Sequence, residues 1–335
     1  MKEDVIKNST QDYLPGVYSC DAPVLLIVFN RPITTAATLK AISKVRPKKL
    51  YVACDAPRQN NIDDIANVKE VKKIVENISW ECKVVYRFRE KNLGVGLSPA
   101  DAVSWLLDHE ESGIIIEDDC IASISFFIFC ESMLKKYNYD DRIMSISGTN
   151  ICDSVQYETD YVYTNFPLMW GWATWRRAWK MHDIKMLDWP NIKARRSFSK
   201  LPKDKWKFHP VYVEFFDKTY KSTKPNWDHQ WIFALWKNRG LTVISSKNLV
   251  SNIGFSNNAS HTTIDDLGRE NLLAHEHFPP YKGPKEVQED ILTDKYISVN
   301  WFTATYTYYL KIVLLRFKPI LILWNFIKPL VKNKL

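Results

Sequence analysis

Short apolar runs alternate with amphipathic segments along the first 120 residues of the chain. Four of these runs have the length and continuity of strands buried on both faces: 23–29 (PVLLIVF), 50–54, 84–88 and 113–116. Helical spacing is found over 62–78 and 97–109, and a further helix is expected up to Ser43, with Thr34 or Thr35 as its cap. The alternation predicts an α/β fold with a mostly parallel central sheet, flanked by helices and joined by short right-handed crossovers.

Polar residues stand where three of the predicted strands end. Asn30-Arg31 follows the first strand, Asp55 the second and Glu117-Asp118-Asp119 the fourth. Ligands of open parallel sheets bind beyond the carboxyl ends of the strands, so we expect these side chains to share a site. The first strand is not followed by GxGxxG, and GxxxxGK[ST] does not occur in the sequence. These absences argue against a dinucleotide oxidoreductase and a P-loop NTPase.

The triplet Glu117-Asp118-Asp119 brings together three carboxylates whose mutual repulsion must be compensated. A divalent cation that bridges a diphosphate is the usual compensation, and hard oxygen ligands favour Mg²⁺ or Mn²⁺. The alternative is a solvated acidic turn without a ligand. The polar residues at the other strand ends favour the metal site over that alternative.

In these features the sequence resembles the GT-A glycosyltransferases, in which an acidic DxD-type motif ends a central strand. Within that fold it is most similar to the branch that includes the inverting N-acetylglucosaminyltransferase I family, whose motif reads Glu-Asp-Asp. The resemblance covers about residues 22–265. Besides the acidic triplet, it rests on six elements in a fixed order: Asn30-Arg31, Asp55, Asn92 to Gly96, Gly171-Trp172, Trp227-Asp228 and Ser260-His261.

The resemblance implies a Rossmann-like GT-A fold, a UDP-sugar donor, and Mn²⁺ or Mg²⁺ as cofactor. Asp119 would be the direct metal ligand. Glu117 and Asp118 would contact the ribose and the donor sugar, and Asp55 would bind the uracil. The other residues expected to bind the nucleotide sugar are Asn30, Arg31, Asn92, Gly94 and His261.

The chain departs from the family pattern at two places. His229 stands where the family often has a second acidic residue, and the loop 254–263 lacks basic residues. His261 in that loop would either bind a phosphate or lie in a surface loop.

Asp228 is the candidate general base, a carboxylate separate from the metal turn that would take the proton of the acceptor hydroxyl. Trp227 and Trp231 would give it apolar walls. The alternative is that Asp228 caps a helix beginning near Gln230. Aromatic faces suit sugar rings, so the candidate acceptor residues are Trp170, Trp172, Trp227 and Trp231, with packing in the core as the alternative.

The net charge of +8 comes almost entirely from the C-terminal segment. Residues 295–335 carry seven basic residues and no acidic one, which leaves +1 for residues 1–294. A nucleic-acid-binding protein carries its basic face on the folded domain, so the sequence argues against a nucleic-acid partner. The six cysteines form no CxxC pair, and the N-terminus lacks an apolar signal core, which together favour a reduced, cytoplasmic protein.

The C-terminal segment mixes aromatic residues, apolar runs and basic residues, without an uncharged run long enough to span a bilayer. We expect a basic amphipathic tail over 295–335 that lies on an anionic membrane, the inner face of the plasma membrane. The alternatives are a helical pair packed on the domain or a dimer contact. Before it we expect a polar lead-in (1–20) and one catalytic domain (21–290), divided into a nucleotide-sugar-binding half (21–150) and an aromatic-rich acceptor half (151–290).

These features together predict a metal-dependent inverting glycosyltransferase that acts on a glycan or lipid-linked acceptor. The resemblance also implies a role in surface-polysaccharide assembly, which small bacterial proteins of this type usually serve. One alternative is a nucleotidyltransferase that makes sugar nucleotides. Such enzymes usually carry a Gly-rich basic loop after the first strand, unlike Asn30-Arg31-Pro32-Ile33. The other is a non-catalytic protein that binds carbohydrate or membrane, which would explain the tryptophans and the tail but not the polar strand ends.

Overall fold

The computed structural model describes residues 17–152, 155–194, 209–255, 272–302 and 305–315. The strands in these ranges are β1 (Val24–Val28), β2 (Lys49–Cys54), β3 (Lys83–Phe88), β4 (Ser112–Glu117), β5 (Cys120–Ala122), β6 (Ile143–Ser147), β7 (Tyr161–Thr164), β8 (Trp172–Trp175), β9 (Leu241–Ser245) and β10 (Val250–Asn252). The helices are α1 (Pro32–Ser43), α2 (Ile62–Glu76), α3 (Gly94–His109), α4 (Ile124–Lys136), α5 (Arg176–Trp179), α6 (Trp189–Ala194), α7 (His209–Lys221), α8 (Trp227–Asn238), α9 (Ile291–Asn300) and α10 (Tyr306–Leu315).

Eight strands form one central sheet in the order β3-β2-β1-β4-β8-β6-β9-β7. β1 pairs in parallel with β2 and β4, β2 with β3, and β6 with β9. β8 is antiparallel to both of its neighbours, and β7 is antiparallel to β9. The protein therefore has the mixed α/β fold, with a mostly parallel central sheet flanked by helices, that the sequence predicted. The four predicted strands begin and end within one residue of β1 to β4.

The two faces of the sheet are covered by separate groups of buried residues. Leu25 and Ile27 of β1 pack on one face with α3, α7 and α8, whereas Val24, Leu26 and Val28 pack on the other with α1, α2 and α4. Successive residues of a strand point to opposite faces, so a strand covered on both sides needs apolar residues at every position. This explains the unbroken apolar runs in the sequence.

The first helix begins earlier than predicted. α1 starts at Pro32, with Arg31 in the N-cap position and no side-chain cap hydrogen bond. Proline fits the first helical position because its ring fixes φ and the helix needs no N–H there. The expected cap at Thr34 or Thr35 is therefore wrong, and both residues lie inside the first turn.

A second sheet, of two strands, brings a distant part of the chain to the acidic turn. β10 runs antiparallel to β5, with Asn252 opposite Cys120. β5 begins directly after Asp119. The pairing therefore places residues 252–255 beside the carboxyl end of β4.

The described part of the C-terminal segment packs on the domain. In the first turn of α9, Asp294 accepts hydrogen bonds from Thr164 Oγ1 and Asn165 Nδ2, each at 2.6 Å. Ile297 is fully buried, and Trp301 and Phe302 pack against the core. Over 295–302 the chain thus follows the packed-helix alternative. Residues 1–16 of the lead-in and 316–335 of the tail lie outside the described residues. Within the described ranges, no helix is long and apolar enough to cross a membrane.

Candidate active site

The ends of β1 and β4 form the centre of the candidate site. These parallel strands are neighbours, with Ile27 opposite Glu117, while β2 and β3 lie on the other side of β1. The strand order reverses between β1 and β4, and such a switch point opens a crevice beyond the strand ends. Arg31 donates through Nη1 to Asp119 Oδ2 at 2.7 Å across this crevice.

The carboxylates of the acidic turn have different surroundings. Asp118 is buried, and its Oδ2 accepts a hydrogen bond from the Phe29 backbone N–H at 3.0 Å. Thr38 Oγ1 donates to the Asp118 carbonyl oxygen at 3.1 Å. Asp118 therefore ties the turn to the end of β1 and to α1, whereas Asp119 pairs with Arg31 in the crevice.

Burial and mutual repulsion raise the pKa of two carboxyls in this turn. The pKa of Glu117 is raised to about 8, mainly because the carboxyl is buried. The neighbouring carboxylates raise this pKa further, in the order Asp119, Asp118 and Asp228. Burial, followed by the charge of Asp119, raises the pKa of Asp118 to about 7. Arg31 opposes both shifts. With Arg31 as the positive partner, ionisation of Glu117 and Asp118 is therefore disfavoured, and a bound divalent cation would lower both pKa values and favour the charged forms.

The turn fits a cation held partly by protein and partly by ligand. Within the described ranges, no three His, Cys, Asp or Glu side chains are grouped so as to hold a metal by themselves. Asp119 would supply one carboxylate, and diphosphate oxygens and water would complete the shell. Mg²⁺ commonly binds in this way, through one or two carboxylates and substrate phosphates. The oxygen donors of the turn therefore suit Mg²⁺ or Mn²⁺.

Asp55, Asn92 and Gly94 come together as expected, but the carboxylate of Asp55 is engaged with the backbone. It accepts hydrogen bonds from the N–H groups of Ala56, Leu93 and Gly94 at 2.9–3.1 Å. Asn92 Nδ2 donates to the Ala56 carbonyl oxygen at 2.6 Å. These contacts hold the loop between β3 and α3 against the end of β2. A contact from Asp55 to uracil would need one of these hydrogen bonds to open.

Asn30 is held by an ion pair that sequence analysis missed. Asn30 Nδ2 donates to Asp64 Oδ1 at 2.7 Å, and Arg58 binds the same carboxylate through Nε and Nη2 at 2.6 and 2.8 Å. The hydrogen bonds from Arg58 are the main cause that lowers the pKa of Asp64 to about 2. Asp64 lies three residues after Asn61, the N-cap of α2. An acidic residue three positions after a helix cap is a pattern that the sequence displays, and it could have marked Asp64.

Asp228 reaches the site from the other half of the chain. Pro225 lies three residues before Asp228. It packs so closely on α3 that a Cβ on Gly96 would lie 1.8 Å from the Pro225 carbonyl oxygen. This approach brings the start of α8 to the carboxyl edge of the sheet. The negative charge of Asp228 there adds to the raised pKa of Glu117, so the two carboxylates lie within electrostatic range.

The alternative in which Asp228 caps a helix is wrong. α8 begins at Trp227, so Asn226 occupies the N-cap position and Asp228 is the second residue of the helix. Asp228 Oδ1 accepts a hydrogen bond from the His229 backbone N–H at 2.9 Å. A carboxylate in the first turn still interacts favourably with the helix dipole.

Three of the four candidate acceptor tryptophans lie in the core. Trp172 and Trp231 are fully buried and Trp227 is 6% exposed. Trp172 and Trp227 stack with ring centroids 5.6 Å apart and an interplanar angle of 23°. This burial agrees with the core-packing alternative and leaves an acceptor no direct access to Trp172 or Trp231.

Trp170 has a different environment. It is half-buried, and its ring contacts those of Phe255 and Trp301 with centroids 5.4 and 5.1 Å apart. Phe255 directly follows Gly254, where an added Cβ would lie 2.1 Å from Asp119 Oδ2. The three rings, here called the aromatic group, therefore lie next to the acidic turn. Phe255 and Trp301 were not identified from the sequence, and His261 lies outside the described residues.

No protein-family model matches the sequence, and no curated protein matches it. Solved structures that are similar to part of this chain include a mannosyltransferase, a protein named HddC and a UDP-glucose pyrophosphorylase. A mannosyltransferase from Pyrobaculum calidifontis in complex with GDP-mannose and Mn²⁺ has 12% identity over 67% of this chain and 71% of its own, with a TM-score of 0.38. HddC from Yersinia pseudotuberculosis has 10% identity over 43% and 57%, with a TM-score of 0.25. A UDP-glucose pyrophosphorylase complexed with UDP-glucose has 8% identity over 67% and 90%, with a TM-score of 0.34.

Proposed function

We propose that this protein is a metal-dependent inverting glycosyltransferase that moves a sugar from a UDP-sugar to a hydroxyl of a glycan or lipid-linked acceptor. The observation that carries the proposal is the meeting of Arg31 and Asp119 at the switch between β1 and β4, with the charge of Asp228 acting on the same turn from α8. One crevice thus combines a cation-binding carboxylate, a guanidinium and a separate carboxylate.

Arg31 and Asp119 form the diphosphate side of the crevice. A guanidinium presents several N–H donors in a fixed plane, which suits phosphate oxygens. A divalent cation on Asp119 would offset the charge that develops on the departing nucleoside diphosphate. The hydrogen bond from Phe29 to Asp118 fixes the backbone that presents Asp119. The loop 92–94, held by Asp55, borders the nucleotide.

Asp228 is the proposed general base. In an inverting transfer, the acceptor oxygen attacks the anomeric carbon from the side opposite the leaving diphosphate, so the base stands apart from the metal turn. The bond from the anomeric carbon to the phosphate oxygen breaks as the new glycosidic bond forms, and the hydroxyl proton passes to the carboxylate of Asp228. Its position on α8, outside the turn but within electrostatic range of Glu117, supports this role.

The aromatic group of Trp170, Phe255 and Trp301 is the proposed acceptor side. Half-buried aromatic faces pack against the C–H faces of sugar rings, and these rings lie beside Asp119. Buried Trp172 and Trp227 would act indirectly, by fixing the start of α8 and hence Asp228.

We extend the proposal to surface-polysaccharide assembly at the inner face of the plasma membrane. The resemblance to GT-A glycosyltransferases supports the role in surface-polysaccharide assembly. Five basic residues and no acidic one in 316–335 support contact with an anionic membrane.

Incubation with UDP-sugars and Mn²⁺ tests the function. Slow, Mn²⁺-dependent release of UDP from one donor, abolished by Asp119→Ala, is the expected result for a transferase that uses water in place of its acceptor. Pyrophosphate release from UTP and a sugar 1-phosphate would instead identify a nucleotidyltransferase. Absence of both reactions with every donor would favour a non-catalytic binding protein.

A further inference from the structure

β10 is fastened to the acidic turn through its backbone. Asn252 pairs with Cys120 in the two-stranded sheet, and the Ile253 N–H donates to the Asp119 carbonyl oxygen at 2.8 Å. Oδ1 of Asn252 accepts the Gly254 N–H at 2.7 Å. Only the oxygen of an amide side chain can accept a hydrogen bond, so the oxygen is the atom on the Gly254 side.

Gly254 separates two side-chain oxygens. A Cβ on Gly254 would lie 2.1 Å from Asp119 Oδ2 and 3.0 Å from Asn252 Oδ1, so these oxygens are at most about 5 Å apart. Two oxygens bound to one Mg²⁺ ion lie no more than about 4.2 Å apart, twice a bond length of ~2.1 Å. A movement of about 1 Å or less would therefore allow both oxygens to bind one cation.

Both oxygens have the chemistry of ligands. Asp119 Oδ2 already contacts a positive charge, the Arg31 guanidinium, at 2.7 Å. An amide oxygen has two lone pairs, so Asn252 Oδ1 can bind a cation while it accepts the Gly254 N–H. Carboxylate and amide oxygens are both hard ligands of the kind that Mg²⁺ and Mn²⁺ prefer.

We infer that Asn252 Oδ1 is a second protein ligand of the divalent cation, beside Asp119, and that Gly254 is needed because a side chain there would displace the Asp119 carboxylate. The inference rests on the proposed function, since it concerns the cation of that site. It also gives β10 a role in the site.

Mn²⁺ binding in the presence of UDP, followed by the electron paramagnetic resonance signal of free Mn²⁺, tests the inference without measuring transfer. We expect Asn252→Ala to weaken Mn²⁺ binding by about tenfold or more. Asn252→Asp, which adds charge in the same shape, should strengthen it several-fold. The matched control is Asn191→Ala, an exposed asparagine on α6 whose loss should leave the affinity unchanged.

Gly254→Ala is the second variant. Gly254 is not among the glycines with positive φ, so alanine can adopt its backbone conformation and the substitution tests the space beside Asp119 and Asn252 without backbone strain. We expect it to reduce Mn²⁺ affinity while the melting temperature stays close to that of the wild type. A substitution that only perturbs the fold would lower both.

The results separate the inference from the proposed function. If Asp119→Ala abolishes Mn²⁺ binding while Asn252→Ala and Asn252→Asp both stay within about twofold of the wild type, the inference is overturned and the metal site stands. If Asn252→Ala does not fold, an unchanged affinity in Asn252→Asp overturns it equally. If the wild type binds no Mn²⁺ with either UDP or GDP, the inference and the proposed metal dependence both fail.

Discussion

Arg31 Nη1 and Asp119 Oδ2 lie 2.7 Å apart and join two segments separated by 88 positions in the chain. The side chains are 24% and 14% exposed, so the ion pair is only partly screened by water. Arg31 neutralises part of the acidic turn, and a cation that binds Asp119 must compete with the guanidinium. We expect the displaced Arg31 to turn toward the diphosphate, which would couple cation binding to nucleotide binding.

Replacement of Arg31 by methionine should change the two affinities in opposite directions. Arg31→Met removes the competitor for Asp119, so the affinity for Mn²⁺ alone should rise. The affinity for UDP at saturating Mn²⁺ should fall by about tenfold, because a charge-assisted contact to phosphate is lost. Calorimetric titrations measure both quantities. Arg142→Met, which breaks an exposed ion pair with Asp140, is the control and should change neither.

Asp119 should be essential for the metal-dependent part of nucleotide binding. Asp119→Ala removes the carboxylate in the crevice but leaves Asp118, which holds the turn through the Phe29 N–H. We therefore expect a folded protein whose UDP affinity no longer responds to Mn²⁺ and whose transfer is abolished. Unchanged Mn²⁺-dependent UDP affinity would contradict the assignment of Asp119.

Asp228→Asn should separate the general base from a structural role. Asparagine has the same size and can still accept the His229 N–H, but it cannot take the acceptor proton. The kcat should fall by about 10²–10⁴, with little change in donor affinity. Steady-state kinetics with a saturating donor provide the measurement. Activity within a few-fold of the wild type would mean that another residue is the base.

The sheet and the centre of the site could be predicted because both leave local patterns in the sequence. A parallel strand buried on two faces needs an apolar run, and polar residues directly after it must lie at the carboxyl edge. The four runs therefore located β1 to β4, and Asn30-Arg31 and Glu117-Asp118-Asp119 marked the ends of two neighbouring strands.

The contacts of the second half could not be predicted, because they depend on pairings between distant segments. β5 and β10 have three residues each, too few for a recognisable period, yet their pairing brings Asn252 and Gly254 to Asp119. Tryptophan suits both a core and a sugar surface, so composition cannot separate buried Trp172 from half-buried Trp170.

His182 should make the protein less stable in mild acid. Its ring stacks on Trp179 with centroids 4.2 Å apart, and its Nε2 lies 3.1 Å from the Trp227 carbonyl oxygen. Burial lowers the pKa of His182 from 6.5 to about 4. The folded state therefore resists protonation between pH 6.5 and pH 4, whereas the unfolded chain takes up the proton. The stability that depends on neutral His182 is fully present above pH 6.5 and is lost as the pH falls from 6.5 to 4.

Urea unfolding of the wild type and His182→Gln measures this contribution. Glutamine can still donate to the Trp227 carbonyl oxygen but does not titrate. From pH 6.5 down to pH 4, the wild type should lose up to about 3 kcal/mol of unfolding free energy that the variant keeps. Parallel pH profiles for the two proteins would show that His182 is protonated at its ordinary pKa.

Two truncations separate the packed part of the C-terminal segment from its basic part. Deletion of 316–335 removes five basic residues and should leave a soluble enzyme that binds UDP. Deletion of 301–335 also removes Trp301 and Phe302, which pack on the core, and should lower the melting temperature markedly.

Sedimentation with anionic liposomes tests the membrane contact of this segment. The full-length protein should sediment with vesicles rich in phosphatidylserine and be released by salt, since each basic residue near such a surface contributes about 1 kcal/mol. The protein that ends at residue 315 should stay in solution. If both proteins sediment to the same extent, the basic segment does not carry the membrane contact. A lipid-linked acceptor would then have no support from the tail, and a soluble glycan would be the better acceptor to test.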